Sequence, residues 1–108
     1  MDEVERLLRR LALNDEESVG RVLVGDTDAA PRSELDPKLE VFAQLAALLA
    51  LGGATTSLRA AVQRAIDAGA TESEIVEVLV AVGPVVGFAR VVAAAPRLAT
   101  ALGYDLDE

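Results

Sequence analysis

The sequence predicts an all-α fold, a compact multi-helix domain that assembles with copies of itself, and three observations lead there. Apolar residues recur at helical spacing in one segment after another, and capping residues and glycines fall at the segment ends. No stretch has the strict alternation and turn chemistry of a hairpin, and no internal repeat is present. The apolar content is Ala, Val and Leu, with hydrophobic residues 52% of the chain and aromatics 3%. That composition suits close helix packing rather than a sheet.

The elements follow in order. Residues 2 to 13 place Val4, Leu7, Leu8 and Leu11 on one side and Arg6, Arg9 and Arg10 on the other, an amphipathic helix that is expected to dock. Asn14, three residues before Glu17, reads as the capped start of a short helix carrying Val19, Val22 and Leu23 and stopping at Gly25. A polar connector follows to Glu34, with Asp26, Thr27, Asp28, Pro31 and Ser33. Residues 1 to 34 are thus a helical segment with its connector, and residues 35 to 108 a helical domain with which they form one structural unit.

Asp36-Pro37 opens the next helix, because Asp caps free amides and Pro loses nothing at the first helical position. From Val41 to Leu51 it is apolar nearly all round, broken only by Gln44, so it is expected to be covered on most sides. After Gly52-Gly53 the cluster Thr55, Thr56 and Ser57 reads as a cap for a helix whose Leu58, Val62, Ala65 and Ile66 share a face and which ends at Gly69. Thr71 and Glu74 form a capping box ahead of Ile75, Val78, Leu79 and Val82. Gly83-Pro84 is expected to break or kink the chain, with helix again from Val85 to Ala95 and from Pro96 to Leu102. Gly83 and Gly87 are read as points of close helix approach, and Phe42 and Phe88 as core. The last helices are too apolar for a lone small bundle, and a homo-oligomer interface is the simplest use of the excess.

Composition also excludes functions. The formal charge is −8, from 18 acidic and 10 basic residues, which repels a nucleic-acid backbone. With no Cys and no His, disulfides, thiolate catalysis and Cys- or His-ligated metals are out, and no Asp-rich loop suggests a metal held by carboxylates, so no metal and no cofactor is expected. The acidic start and the short apolar runs give neither a signal peptide nor a membrane span, and a cytoplasmic protein is the expectation.

The segments Leu35-Asp-Pro-Lys38, Leu45-Ala-Ala-Leu-Leu-Ala-Leu-Gly52, Leu58-Arg-Ala-Ala-Val-Gln-Arg-Ala-Ile-Asp-Ala-Gly-Ala-Thr-Glu-Ser-Glu-Ile75 and Ala81-Val-Gly-Pro-Val-Val-Gly-Phe-Ala89 resemble the carboxymuconolactone decarboxylase family, which includes the alkylhydroperoxidase D type. The resemblance covers about residues 35 to 95 and implies an all-helical domain assembling as a trimer or a hexamer, with pockets near subunit contacts. The peroxidase branch of that family carries a C-x-x-C pair and, four residues on, a histidine; these positions fall on Ala54, Ser57 and Ala61. Its glutamate on the preceding helix falls on Val41 or Phe42. A serine hydroxyl forms no disulfide, so the peroxidase chemistry is rejected. The decarboxylase branch often shows Leu-Arg-x-His here; Leu58 and Arg59 are present and Ala61 replaces the histidine.

Two functions follow as expectations. One is a catalytically silent member that acts by assembly or partner binding. The other is a cofactor-independent lyase, isomerase or binder in which Arg59 anchors a small carboxylate or lactone, with Ser57 beside it and Phe42, Leu45, Leu58 and Phe88 lining an apolar pocket. Its acid or base would have to be Glu40, Asp67, Tyr104 or water, because arginine does not titrate near neutral pH. The plainer expectation for Arg59 and Arg64 is a surface or interface salt bridge; Arg90 and Arg97, seven residues apart, are expected to meet carboxylates across an interface.

Overall fold

A computed structural model describes residues 2–24 and 33–105, the side chains of Arg21, Leu23 and Val24 excepted. Among the described residues all regular structure is helical, in six helices. The chain divides into two compact units, Met1–Glu34 and Leu35–Glu108.

The first unit holds α1 (Glu3–Ala12) and α2 (Glu16–Val24), packed on each other. Asp2 caps α1 by accepting from the Glu5 amide. None of the α1 residues is buried, and Val4 and Leu8 on its apolar side are exposed. The expected cap of α2 moves by one residue. Asn14 adopts the left-handed conformation (φ 60°), a place its short polar side chain tolerates, and Asp15 accepts from both the amide and the hydroxyl of Ser18. The Ser18 bonds hold the Asp15 carboxyl below its usual range. The helix end at Gly25 and most of the connector lie outside the described residues.

The second unit is built from α3 (Pro37–Leu51), α4 (Thr55–Asp67), α5 (Glu72–Val86) and α6 (Phe88–Ala101). Asp36 accepts from the Lys38 amide, and Pro37 opens α3 as read from the sequence. Gly52 ends it at φ +76°, and the amides of Gly52 and Gly53 both reach the Leu48 carbonyl. A Cβ at Gly53 would stand 2.7 Å from Leu48 Cδ2, so that side-chain tip would have to turn aside. The end of α4 is a Schellman motif: the Gly69 amide donates to Ile66 and the Ala70 amide to Ala65. The Thr71–Glu74 box is reciprocal, each side chain bonding the other residue's amide.

The break expected at Gly83-Pro84 falls instead at Gly87, whose φ of 92° and ψ of 164° suit glycine almost alone. Both Pro84 and Pro96 sit inside helices, α5 and α6. Each lies on an exposed side, next to a turn led by exposed Val80 and Val92, where a carbonyl without a helical donor can meet water. One helix therefore spans Phe88–Ala101 where two were expected. Gly83 has only an ordinary contact with Val91, and Gly87 has open space beside it, so its role is conformational.

α3 packs on α4, α5 and α6, which also pack on one another. Leu45, Leu58 and Ile75 are the large side chains most completely enclosed, with Val41, Leu49, Ala61, Val62, Ala65, Leu79, Ala94 and Leu98 around them. Ile66, expected on the buried face of α4, is partly exposed. No described helix is long and apolar enough to cross a membrane.

Candidate functional site

The start of α4 is where the resemblance places reactive groups. Its N-cap is Ala54, which offers no side-chain bond, while Thr55, Thr56 and Ser57 lie in the first turn rather than capping it. A cap must stand just before the first helical residue with extended backbone, and here that position carries a methyl group. Ser57 and Arg59 are exposed. Ala61 is 0% exposed and packed into the core with Leu58 and Val62. A histidine-sized side chain there would overfill a closed interior.

The residues expected to line one apolar pocket are not brought together. Leu45 and Leu58 are core, Phe88 is 84% exposed at the first position of α6, and Phe42 is half-buried. Phe88 emerges straight from the Gly87 turn, before α6 has reached the core, which explains why an aromatic expected inside lies outside.

An open groove of about 560 Å³ lies instead between α3 and α5. Phe42, Ala43, Ala46, Ala47 and Ala50 form one wall, and Val78, Ala81, Val82, Val85 and Val86 the other. No lining side chain carries a polar atom, so the groove has nothing with which to orient a reacting group. Its signal was in the sequence, because the alanines of α3 recur at i, i+3, i+4 and i+7. Neither Arg59, Ser57 nor Phe88 lines it.

Two contacts fix the direction of the groove walls. Near the start of α3 the Lys38 ammonium is 2.8 Å from Glu74 at the start of α5, and it also lies 5.9 Å from the Phe42 ring centre. At the other end Arg90, just beyond α5, donates to the Ala50 carbonyl at 2.7 Å. α3 and α5 therefore run in the same sense. Arg97 donates to the Gly53 carbonyl at 2.8 Å. Within the chain the two arginines meet carbonyl oxygens at the end of α3, where cations are favoured by the helix dipole.

The candidate acids and bases are dispersed. Tyr104 donates its hydroxyl to Glu72, and that bond raises the phenol above its ordinary value. Lys38, then the Thr71 amide, hold the Glu74 carboxyl below the usual range. Asp67 accepts from Gln63 one turn earlier on α4, and Arg64 Nη2 lies 3.5 Å from Gln44 of α3. None of Glu40, Asp67 or Tyr104 lines the groove.

A model of the carboxymuconolactone decarboxylase family matches residues 21–100. No curated protein and no solved structure gives a significant match.

Proposed function

Because the chain belongs to the carboxymuconolactone decarboxylase family, we propose that it is a catalytically silent member that acts by assembling into a homo-oligomer and presenting that assembly to a partner protein. The position of the proton carrier supports this most directly. Ala61 is a closed part of the core, and the neighbouring positions hold the methyl of Ala54 and the exposed hydroxyl of Ser57. With no Cys and no His in the sequence, no side chain has an ordinary pKa near neutrality, where proton transfer works best. The open apolar surface lies elsewhere, between α3 and α5, and its chemistry is that of an unfinished packing surface rather than a reaction chamber.

The test pairs turnover with assembly. The chain is incubated with a hydroperoxide and a dithiol donor, and separately with carboxylated lactones, while light scattering reports its mass. The reading expects no turnover above buffer and a mass that is a multiple of 11.3 kDa. Turnover of either substrate class that Arg59→Ala abolishes, with mass unchanged, would replace it with a carboxylate-anchoring enzyme.

A further inference from the structure

We propose that the α3/α5 groove is a two-fold interface in which a second copy of this chain lies antiparallel, placing its Arg90 end against the Glu74 and Glu77 end of the first. This rests on the assembly reading and names the surface and symmetry through which assembly occurs.

The groove is polar along its length in charge though not in lining. At its N-terminal end Glu74 and Glu77 stand one turn before Val78 and Ala81 and so extend the α5 wall, with Glu40 one turn before Ala43 and Lys38 beside them. At its C-terminal end Arg90 is exposed, and with one Nη1 bond spent on Ala50 its guanidinium keeps donors to spare. One end is therefore net acidic and the other basic.

A two-fold axis across the groove turns that polarity into a match. Each surface patch then meets itself reversed, so every Glu77 faces an Arg90 and every Arg90 a Glu77. A parallel pairing would set acid on acid, which like-charge repulsion disfavours. The apolar middle fits the same arrangement. The alanines of α3 let helix axes approach to about 8 Å, the close end of the usual range. Phe88 and Val85, exposed by 84% and 87% at the basic end, supply projecting groups for a surface lined, Phe42 apart, by alanine and valine methyls. An anionic lipid or nucleic acid is disfavoured by the acidic end.

Sedimentation equilibrium on wild type, Glu77→Arg, Arg90→Glu and the double variant tests the arrangement, with circular dichroism confirming the fold of each. The expected result is an assembled wild type, single variants that associate at least about tenfold more weakly, and a double variant restored to within about threefold. Because Arg90 also holds Ala50, Ala47→Arg is the second probe; it sits on an exposed part of the groove wall and is expected to block association with helicity intact. A wild type that stays monomeric overturns both the groove pairing and the assembly reading. An assembled wild type with Ala47→Arg and Glu77→Arg unchanged in mass overturns the groove pairing alone and leaves the groove to another occupant.

Discussion

On its inner side α3 sets Val41, Leu45 and Leu49 against the other helices of its unit, and all three are buried. On its outer side Leu39, Ala43, Ala47 and Leu51 are exposed. The helix is apolar on both sides, so hydrophobicity alone does not separate them. What differs is side-chain size and what the chain itself provides opposite. Along the middle of the helix the large branched Val41, Leu45 and Leu49 face inward, where they interdigitate at core density, and the small Ala43 and Ala47 face outward onto an open groove, with Leu39 and Leu51 exposed at its two ends. A chain that encloses one side of an apolar helix and leaves the other open has completed its core but not its surface.

The largest expected effect breaks the inner side. Leu45→Ala removes an enclosed side chain and should cost about 2–5 kcal/mol in urea unfolding. Val85→Ala on the groove should shift the same midpoint by no more than about 0.5 kcal/mol when the protein is dilute enough to be monomeric. Equal costs would mean the groove is closed within the chain.

The contrast between what the chain completes and what it leaves open recurs at helix starts. α5 is capped reciprocally by Thr71 and Glu74, whereas α4 begins at Ala54 with no side-chain cap. Thr71→Ala should lose about 1 kcal/mol, and Ala54→Asp, at a residue already in extended conformation, should gain about 0.5–1 kcal/mol. A loss on Ala54→Asp would mean that the start of α4 is closed to a capping side chain.

The smallest effect concerns an exposed tie. Tyr104 is the one tyrosine and the chain has no Trp, so ultraviolet difference absorbance follows its ionisation cleanly. Its folded pKa is raised by the bond to Glu72, so the bond contributes to stability below the ordinary phenol value and is lost as pH rises through the folded one. The titration midpoint should lie above that of free tyrosine, and Glu72→Gln should bring it down. A midpoint unaffected by Glu72→Gln would show the pair is not formed in solution.

Much of the fold was legible because its signals are local. Asp36-Pro37, Gly69 and the Thr71–Glu74 box act within a turn of chain, and each stands where the sequence put it. The misreadings needed tertiary knowledge. Pro84 and Pro96 lie inside helices on exposed sides, where the carbonyl each leaves without a donor can meet water, and which side faces water depends on packing. Arg90 and Arg97 bond carbonyl oxygens within the chain, a contact no sequence pattern marks because every residue carries that acceptor, and one that does not bear on their expected pairing across an interface. Phe88 was assigned to the core by type, but its place straight after Gly87 puts it outside. The candidate site was legible in what it lacks, Cys and His, and in the alanine spacing of α3, but not in which residues would share a groove, since that depends on how α3 and α5 pair.

The central claim is that the outer side of α3 is finished by another copy of this chain, and the mass of the wild-type protein tests it most directly. Sedimentation equilibrium over a micromolar dilution series should give an integral multiple of 11.3 kDa that falls toward one chain only on dilution. A constant 11.3 kDa across the whole series would contradict it.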